Sequence, residues 1–566
     1  VRERLQRLGH KFKTQSDTEI LVHAWEEWGE DCLAEIRGMF ALAIADFRKH
    51  YTSGPVLFLG RDPLGIKPLY YTQGTEGFAF ASEVRALQAS GLAHGGLSQD
   101  ALTSYLLFGS VSEPVTMLEG VFSLPPGHRM LVYVPDRRRI PRTHPWWDPR
   151  RSPAAKDPKR PRDFSGAVQQ VRPLLQDAVR AHLIADVPVG LFLSSGLDSG
   201  AIAALAAREH PGIQSFTLAF PGTDYDESEM TRRVAAHCGT QHKEVPLDGG
   251  AVVSRIDEVL GALDQPSADG VNTYFVSWAA REVGLKVALS GLGGDELFAG
   301  YPTFASVPKL ERLWTMARFF PAALRRATRG LVSGVLVASM SMDGAAKAAA
   351  AWSCAEKLPH AYFLARALFV PDDLRALTEP RFRPSTVGAD GTTLEPTWLG
   401  WLQRAADEAR RMEPVGAVSW LEMRCYMANT LLRDTDSVSM ARSLEVRVPL
   451  LDTLLVEFMC ALPDEARRQK GRQKALLVDA VKDMLPAQIA GQKKRTFTLP
   501  WEHWLRAELR PKMEASFAEL AKPLKDHLKQ SGVMSVWQGF LAGQRTWSRP
   551  WAIFVLNEWC KRNLTS

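Results

Sequence analysis

The stretch Val187–Gly200, VPVGLFLSSGLDSG, decides the fold of this 566-residue chain. It starts with the apolar run Val187–Leu193, passes through a short turn of small polar residues, and leads into a helical stretch from Gly200 to Arg208. A buried apolar strand, a Ser/Gly-rich turn and a helix in this order are typical of an α/β sheet covered by helices. Ligands bind at the carboxyl ends of strands in such sheets, so the turn predicts a binding site.

The turn after the strand carries groups that suit a phosphate. Its small residues let backbone N–H groups face an anion, and the start of a helix adds partial positive charge. Asp198 is unfavourable beside a phosphate unless a cation lies between them, so it predicts Mg²⁺. The turn is not a Walker A loop, because the GxxxxGK(S/T) spacing is absent. The alternative is a serine-rich turn in which Asp198 only stabilises the helix N-terminus.

Strand and helix patterns alternate beyond this turn. Apolar or β-type runs at 213–220, 242–247 and 286–289 are separated by helical patterns at 227–238 and 273–283. This alternation predicts a parallel sheet wrapped by helices. Beyond about Val307 the pattern is mostly helical.

A second Gly-rich turn, Ser290–Glu296 (SGLGGDE), follows the strand predicted at 286–289. Its three glycines indicate a close backbone approach, and the adjacent acids Asp295 and Glu296 suit a cation or an amino-acid ammonium group. The alternative is a tight strand–helix turn with acids favoured by the helix dipole. Two such turns at the ends of strands in one sheet favour a shared ligand site.

The chain divides into three predicted parts. Residues 1–134 contain short β-type runs and two helical stretches, at 16–28 and 98–108, which favour an antiparallel or layered sheet. Residues 135–163 hold seven prolines and a net charge of +6, and predict an extended linker. Residues 164–566 form the predicted α/β part with its helical extension.

Composition narrows the classes of function. The whole chain has a net charge of +6, so the rest of the chain outside 135–163 is neutral and binding to nucleic acid is not expected. Six cysteines without a CxxC pair argue against a zinc ribbon or a disulfide framework, and are typical of reduced thiols in the cytoplasm. The most apolar uncharged run, 330–342, is too short to cross a membrane, so no membrane partner is expected.

Several motifs together resemble one known family, the glutamine-hydrolysing asparagine synthetases. SSGLDS (194–199) resembles the pyrophosphate loop of ATP pyrophosphatases. LSGLGGDELFAGY (289–301) and SMARSLEVRVPLLD (439–452) resemble the synthetase domain of the family. The glutaminase domain is resembled by FKTQSDTEILVHAWEEWG (12–29), RGMFALAIAD (37–46), GRDPLGIKPLYY (60–71) and FASEVRAL (80–87).

The resemblance implies a two-site α/β enzyme. An N-terminal-nucleophile amidotransferase-like layered sheet, incomplete here, would hydrolyse glutamine in an intact chain. A C-terminal parallel-sheet ATP-pyrophosphatase domain would use ATP and Mg²⁺ to activate the side-chain carboxylate of aspartate as aspartyl-adenylate, with release of pyrophosphate. Ammonia, from glutamine or free in solution, would then give asparagine. The oligomeric state stays open, with a homodimer among the options.

The resemblance also assigns roles to residues. Asp198 and Asp295 would bind Mg²⁺, and Lys474 and Asp198 would be catalytic, with Lys474 stabilising charge on the transferring phosphate. Asp17 would hold the ammonium group of glutamine, and Leu292 and Glu296 would lie at the site of the acceptor carboxylate. ATP would be bound by Leu193, Ser194, Ser195, Gly196, Leu197, Asp198, Ser199, Leu218, Ser290 and Gly291.

The sequence departs from the family at two important places. The family needs a nucleophilic cysteine as its first residue, but here the first residue is Val1 and the first cysteine is Cys32, and the opening segment of the family has no counterpart. The sequence given is therefore expected to be a fragment of a longer product or to carry a remnant domain, and as given to use ammonia and not to hydrolyse glutamine. Leu292 stands where many members carry a glutamate. A second hypothesis is therefore a ligase that amidates another acceptor, such as a secondary metabolite, a saccharide or a peptide. A third is a catalytically inactive scaffold or binding module that uses the basic linker.

Overall fold

A computed structural model describes residues 1–48, 54–74, 77–134, 141–223, 225–337, 342–354, 358–380, 398–486 and 499–564. Part of the linker predicted at 135–163, residues 135–140, lies outside the described residues.

Two antiparallel sheets form the N-terminal part, as the sequence predicts. One has four strands in the order β1-β2-β6-β7 and the other has three in the order β4-β3-β5. Their bounds are β1 Ala41–Asp46, β2 Val56–Arg61, β3 Tyr70–Gly74, β4 Gly77–Ala81, β5 Val121–Ser123, β6 His128–Tyr133 and β7 Thr143–Pro145.

A buried turn after β2 connects the two sheets. The Arg61 guanidinium donates to the carboxylate of Glu113 at 2.7 Å and to the hydroxyl of Ser123 at 2.9 Å. Asp62, fully buried, accepts backbone N–H bonds from Ile66 and Lys67. Both side chains are thus occupied in holding the turn, which is a structural role.

The parallel sheet has five strands in the order β10-β9-β8-β11-β12. Their bounds are β8 Val189–Phe192, β9 Gln214–Ala219, β10 Gln241–Pro246, β11 Val287–Leu289 and β12 Glu445–Arg447. From β8 the chain adds strands first on one side and then, from β11, on the other. The order therefore reverses between β8 and β11, and a crevice opens beyond the carboxyl ends of those two strands.

Helices pack against the parallel sheet and form most of the C-terminal part. Up to residue 317 they are α1 Arg2–Arg7, α2 Asp17–Trp28, α3 Val84–Ala89, α4 Gln99–Phe108, α5 Pro153–Lys156, α6 Phe164–Leu183, α7 Leu197–Glu209, α8 Ser228–Cys238, α9 Gly249–Ala262, α10 Gly270–Glu282, α11 Gly294–Leu297 and α12 Thr303–Ala317.

The later helices are α13 Ala322–Val337, α14 Met342–Ser353, α15 Ala361–Ala365, α16 Pro371–Leu377, α17 Trp398–Ala409, α18 Pro414–Leu421, α19 Arg433–Met440, α20 Thr453–Ala461, α21 Asp464–Arg467, α22 Ala475–Val481, α23 Trp501–Arg506, α24 Arg510–Ala518, α25 Lys522–Lys525, α26 Gln530–Leu541 and α27 Ser548–Asn563. A π-helical segment, Glu422–Leu432, joins α18 to α19. None of the described helices is long and apolar enough to cross a membrane. All six cysteines are free thiols.

One hydrophobic core runs from the N-terminal part through the parallel sheet to the last helix. Helix α27 carries the buried side chains Trp551 and Trp559, and the hydroxyl of Tyr105 on α4 donates to the carbonyl of Ala552 at 2.8 Å. The C-terminal helices are therefore part of the framework that holds the sheet.

Two local features differ from the sequence-based expectations. Helix α7 begins at Leu197 and not at Gly200, so Asp198 and Ser199 lie in its first turn. The stretch predicted as an extended linker contains β7, which pairs with β6 at the edge of the first sheet, and the short helix α5. An edge strand tolerates prolines because one side of it needs no hydrogen-bond partner.

Candidate functional site

A cavity of about 410 Å³ lies at the crevice between the carboxyl ends of β8 and β11. All ten residues expected to bind ATP line it, and so do Leu292, Asp295 and Lys474. Residues that are distant in the sequence come together here, because Lys474 contacts Asp198, 276 positions away. The two predicted loops therefore meet in one site, as expected for strands that flank the reversal point of a parallel sheet.

The first loop is held in shape by its own hydroxyl groups. The Ser194 N–H donates to the Ser199 hydroxyl oxygen at 3.1 Å, and the two hydroxyls are 2.9 Å apart. The N–H of Gly196 donates to the Ser194 hydroxyl at 3.2 Å. The N–H of Ser195 points outward to a carboxylate oxygen of Glu227 at 3.3 Å. The carboxylate of Glu227 is thus already hydrogen-bonded to an N–H group of this loop, next to the start of the 13-residue helix α7.

A lysine and two aspartates form the charged centre of the site. The Lys474 ammonium pairs with the carboxylate of Asp198 and lies 2.7 Å from the carboxylate of Asp295. Lys474 is only 7% exposed, whereas both aspartates keep about a fifth of their surface in contact with solvent. Burial opposes the charge on Lys474, but the two carboxylates outweigh it and raise the pKa of Lys474. The ammonium is therefore charged and placed beside the first loop.

Glycines allow the two loops to approach this charged centre. A Cβ atom on Gly294 would lie 2.3 Å from Oδ1 of Asp198, and one on Gly300 would lie 1.9 Å from Oδ1 of Asp295. Neither distance is compatible with a real side chain at the positions observed. Gly294 of the second loop and Gly300 just beyond it are thus required by close approach to the carboxylates, which the sequence predicts only in general terms.

One wall of the cavity carries groups that suit an acceptor molecule. Leu292 is half-buried and lines the cavity, as do Tyr426 and Asp269. The Tyr426 hydroxyl donates to Asp269 at 3.3 Å, and the guanidinium of Arg366 stacks on the Tyr426 ring at 3.7 Å. Burial raises the pKa of Asp269, while Tyr426 and Arg366 oppose that change. The wall offers one carboxylate within a largely aromatic and aliphatic surface.

Glu296 occupies a different position from its neighbours in the second loop. It is buried behind the cavity wall, is not among the lining residues, and accepts a hydrogen bond from the hydroxyl of Tyr301 at 2.9 Å. Burial, together with the negative charges of Asp295 and Glu422, raises its pKa to about 7. Its contact with the cavity therefore runs through Tyr301, which does line it, and not through its own carboxylate.

Asp17, expected at a glutamine site, lies apart from this cavity. It is the first residue of α2 and is exposed, and Ser16 before it caps the helix by accepting the N–H of Thr18. The side chain of Asp17 stands 3.5 Å from the hydroxyls of these two neighbours. Nothing in this part of the chain brings Asp17 to the charged centre.

Sequence reasoning missed several lining residues. Asp269 and Asn272 lie at the start of α10, where the only local signal is a short polar stretch before a helix. Tyr426 lies within the π-helical segment, a kind of irregularity that is frequent at functional sites but has no sequence signature of its own. Gln473 precedes Lys474 in a chain segment far from the loops in sequence.

The residues of the charged centre can be compared with the ligands that a magnesium ion prefers. Mg²⁺ prefers oxygen ligands and is usually bound by one or two carboxylates with phosphate oxygens and water. Asp198 and Asp295 supply two carboxylates that converge on one cation, the Lys474 ammonium, at the mouth of the phosphate-type loop. The donor set therefore fits Mg²⁺, and Asp198 and Asp295 are the residues that would hold it.

Fold and site together define a class of protein: antiparallel amidotransferase-like sheets followed by a parallel-sheet domain with a cavity at its reversal point. Comparison with known proteins agrees with this class. The glutamine amidotransferase domain family matches residues 1–147, and the asparagine synthase family matches residues 170–561. The chain belongs to the asparagine synthase family, which is ATP-dependent, and carries the amidotransferase domain at its N-terminal side.

Individual relatives are related at modest identity. The chain is 28% identical to an asparagine synthetase (glutamine-hydrolyzing) 1 of Bacillus subtilis (strain 168), over 90% of this chain and 75% of that protein. It is 31% identical to a putative asparagine synthetase (glutamine-hydrolyzing) of Mycobacterium bovis, over 92% of this chain and 75% of that protein. It is also 26% identical to the amidase chry2 of Gibberella zeae, over 89% of this chain and 75% of that protein. Two of these relatives are therefore named as asparagine synthetases and one as an amidase.

Proposed function

We propose that this protein is an ATP-dependent ligase that forms an amide by adenylating a carboxylate, with aspartate as the acceptor and asparagine as the product. The observation that carries the proposal is the Lys474 ammonium held between Asp198 and Asp295 beside the loop that starts α7. Such an arrangement places positive charge where a departing pyrophosphate would develop negative charge. ATP would lie in the cavity with its phosphates against Ser194–Ser199.

The proposed reaction has two steps, adenylation of the carboxylate and attack by ammonia. An oxygen of the acceptor carboxylate attacks the α-phosphorus of ATP, the bond from that phosphorus to the bridging oxygen breaks, and pyrophosphate leaves. Ammonia then attacks the acyl carbon of the aspartyl-adenylate, AMP leaves, and the nitrogen loses a proton. Adenylation is needed because a free carboxylate has no good leaving group.

The protein's own groups have separable tasks in these steps. The first loop and the N-terminal end of α7 would bind the β- and γ-phosphates, and Lys474 would stabilise charge on the phosphates as the bond breaks. Asp198 and Asp295 would hold Mg²⁺, which neutralises triphosphate charge when bound. Tyr426 orients the carboxylate of Asp269, which suits the α-ammonium group of an amino acid.

A second acceptor class is supported by one observation. Leu292, at a position that resembles one where many family members carry glutamate, places an aliphatic side chain in the lining of the cavity, and the same lining includes the aromatic residues Tyr301 and Tyr426. A leucine cannot pair with an ammonium group, so a larger and less charged carboxylate would gain more from this wall. The same adenylation step would then serve an acceptor other than aspartate.

One assay tests both versions. The protein is incubated with ATP, Mg²⁺, ammonium and aspartate, and pyrophosphate and asparagine are measured together. The proposal expects equal amounts of both. Pyrophosphate without asparagine, dependent on another carboxylate, would favour the second acceptor class. Neither product from a folded protein would overturn the proposal.

A matched pair of variants tests the site itself. Asp198→Ala removes a carboxylate from the charged centre, so the release of pyrophosphate is expected to be abolished. Asp186→Ala, at an exposed position before β8, is the control and is expected to keep full activity. Undiminished release in Asp198→Ala would contradict the assignment of this residue.

A further inference from the structure

Two histidines and a glutamate, none of which lines the cavity described above, form a compact cluster. His10 lies in the segment between α1 and α2, and His23 and Glu26 lie one turn apart on α2. The two histidine side chains are mostly buried, with 15% and 17% of their surface exposed, whereas Glu26 is 44% exposed. The cluster is therefore partly enclosed and open on one side.

The ring nitrogens of the two histidines face each other directly. Nδ1 of His10 and Nδ1 of His23 are 3.1 Å apart. One carboxylate oxygen of Glu26 lies 3.3 Å from Nδ1 of His23 and 3.9 Å from Nδ1 of His10. Two nitrogens and one oxygen thus form a small triangle.

The dimensions of this triangle fit a tetrahedral zinc ion. Zn–N bonds of about 2.0–2.1 Å and similar Zn–O bonds, at tetrahedral angles, place neighbouring ligand atoms roughly 3.3 Å apart. The observed separations of 3.1, 3.3 and 3.9 Å lie around that value. Three ligands with one open position are also a common protein arrangement for zinc, because water can complete the tetrahedron.

Both Nε2 atoms have a carboxylate nearby, but only that of His10 is within hydrogen-bond distance of it. Nε2 of His10 is 3.1 Å from a carboxylate oxygen of Glu27, and Nε2 of His23 is 3.8 Å from one of Glu19. Glu19 is itself held by the backbone N–H groups of Lys13 and Thr14, each at 2.7 Å. Histidine ligands of metals usually give their second N–H to such a carboxylate, which fixes the lone pair on the metal-facing nitrogen.

The Glu27 carboxylate favours the tautomer of His10 that is protonated at Nε2, which leaves a lone pair on its Nδ1. That lone pair faces Nδ1 of His23 at 3.1 Å, with a carboxylate oxygen of Glu26 at 3.3 Å from the same His23 nitrogen. We propose that His10, His23 and Glu26 bind a divalent transition-metal ion of the zinc type, with Glu27 as the supporting carboxylate.

The bound ion would tie the segment after α1 to α2. In the segment between these helices, the backbone N–H of His10 donates to the carbonyl of Leu5 at 3.1 Å, and the Phe12 ring contacts the His23 ring at 4.5 Å between centroids. Metal ligation at His10 would add a cross-link between two parts of the chain, so binding would stabilise the folded state by mass action. This site is independent of the amide-forming activity proposed above.

Zinc binding to the chelator-treated full chain, measured by competition with a chromophoric chelator, tests the proposal. The probe is Zn²⁺ alone. One equivalent is expected to bind, with a rise in the melting temperature on addition of the metal. His10→Ala and His23→Ala are expected to weaken this binding by at least about 100-fold, and Glu27→Gln by about 10-fold. His94→Ala, at an exposed position elsewhere, is expected to bind as the unaltered protein does.

A second measurement guards against variants that fail to fold. Cobalt substitution of the unaltered chain should give the visible absorption of tetrahedral Co²⁺, and Glu26→Gln, on an exposed face of α2, should change that spectrum. Binding that is equally tight in the histidine variants, as expected for thiols or for the Asp198–Asp295 pair, would overturn the proposal. The absence of saturable zinc binding would also overturn it.

Discussion

Lys474 and Asp295 are joined by an ion pair of 2.7 Å, although they lie 179 residues apart in the sequence. The same ammonium also pairs with Asp198, so a single buried cation connects the loop after β8, the loop after β11 and the start of α22. The carboxylates are about a fifth exposed and face the cavity. This three-residue centre is the feature on which the proposed chemistry depends.

Removing the cation tests its two roles. Lys474→Met leaves the two carboxylates without their shared partner, so we expect a loss of stability of about 3 kcal/mol by chemical denaturation. We also expect pyrophosphate release to fall by at least about 100-fold, because charge on the leaving group is no longer stabilised. Lys470→Met, at an exposed position nearby, is the control and should change neither quantity. Normal turnover by Lys474→Met would contradict the role given to Lys474.

Close packing around the carboxylates predicts an effect of a single methyl group. In Gly300→Ala the new Cβ would meet Oδ1 of Asp295 at 1.9 Å and Cε of Lys474 at 2.2 Å, so the charged centre must shift. Activity is expected to drop by at least about tenfold, since small misplacements of reacting groups are costly. Gly261→Ala, in α9 with open space around it, should keep activity and gain up to about 1 kcal/mol in stability. Equal activities of the two variants would argue against this packing account.

The buried carboxyl of Glu296 predicts a dependence of stability on pH. Its pKa rises from 4.5 to about 7 on folding, so the folded state binds the proton more tightly than the unfolded state does. Stability therefore falls as pH rises from about 4.5 to about 7, by about 3 kcal/mol from this group, and then levels off. Glu296→Gln should remove that contribution and be more stable than the unaltered protein at pH 8.

Denaturation curves at pH 5, 6, 7 and 8 give the comparison. The advantage of Glu296→Gln over the unaltered protein should grow across this range and be small at pH 5. Glu282→Gln, at an exposed helical position, should show no such trend. A stability difference independent of pH would mean that Glu296 is ionised in the folded protein at all these values.

The position of Asp269 in the cavity predicts that its removal affects the KM for aspartate and not the KM for ATP. Asp269→Asn removes the carboxylate proposed to meet an amino-acid ammonium group, while the phosphate loop is left intact. The KM for aspartate is expected to rise by about tenfold or more, with the KM for ATP nearly unchanged. Leu454→Ala, at an exposed position outside the cavity, should leave both constants unchanged. A rise in the KM for ATP alone would place Asp269 on the nucleotide side of the cavity.

Much of the fold could be predicted because its signals are local. The strand before Leu193 and the glycines of 290–296 are adjacent to the turns that they form, and the structure brings both turns to one edge of the sheet. Lys474 is different, because its local pattern is that of an exposed helical lysine, and only a resemblance suggested its role. Its burial results from contacts 179 and 276 residues away, which no local pattern encodes.

The features that the sequence did not predict also depend on contacts that are distant in the sequence or on the position within a sheet or helix. β7 was not predicted because the seven prolines of 135–163 suggested a linker, yet this strand, which holds only Pro145, lies at a sheet edge where a missing N–H costs little. Tyr426 and Asp269 come together across 157 residues, and the π-helical turn that carries Tyr426 has no signature in sequence. Glu296 looked equivalent to Asp295, but adjacent helical residues point about 100° apart, so one faces the cavity and the other faces the core.

The most direct test of the central claim is the exchange of labelled pyrophosphate into ATP, measured without any nitrogen donor. If a carboxylate is adenylated at the Asp198–Lys474–Asp295 centre, exchange should require both Mg²⁺ and the acceptor, and should disappear in Lys474→Met. Release of ADP and phosphate in place of AMP and pyrophosphate, or exchange that persists in that variant, would contradict the account.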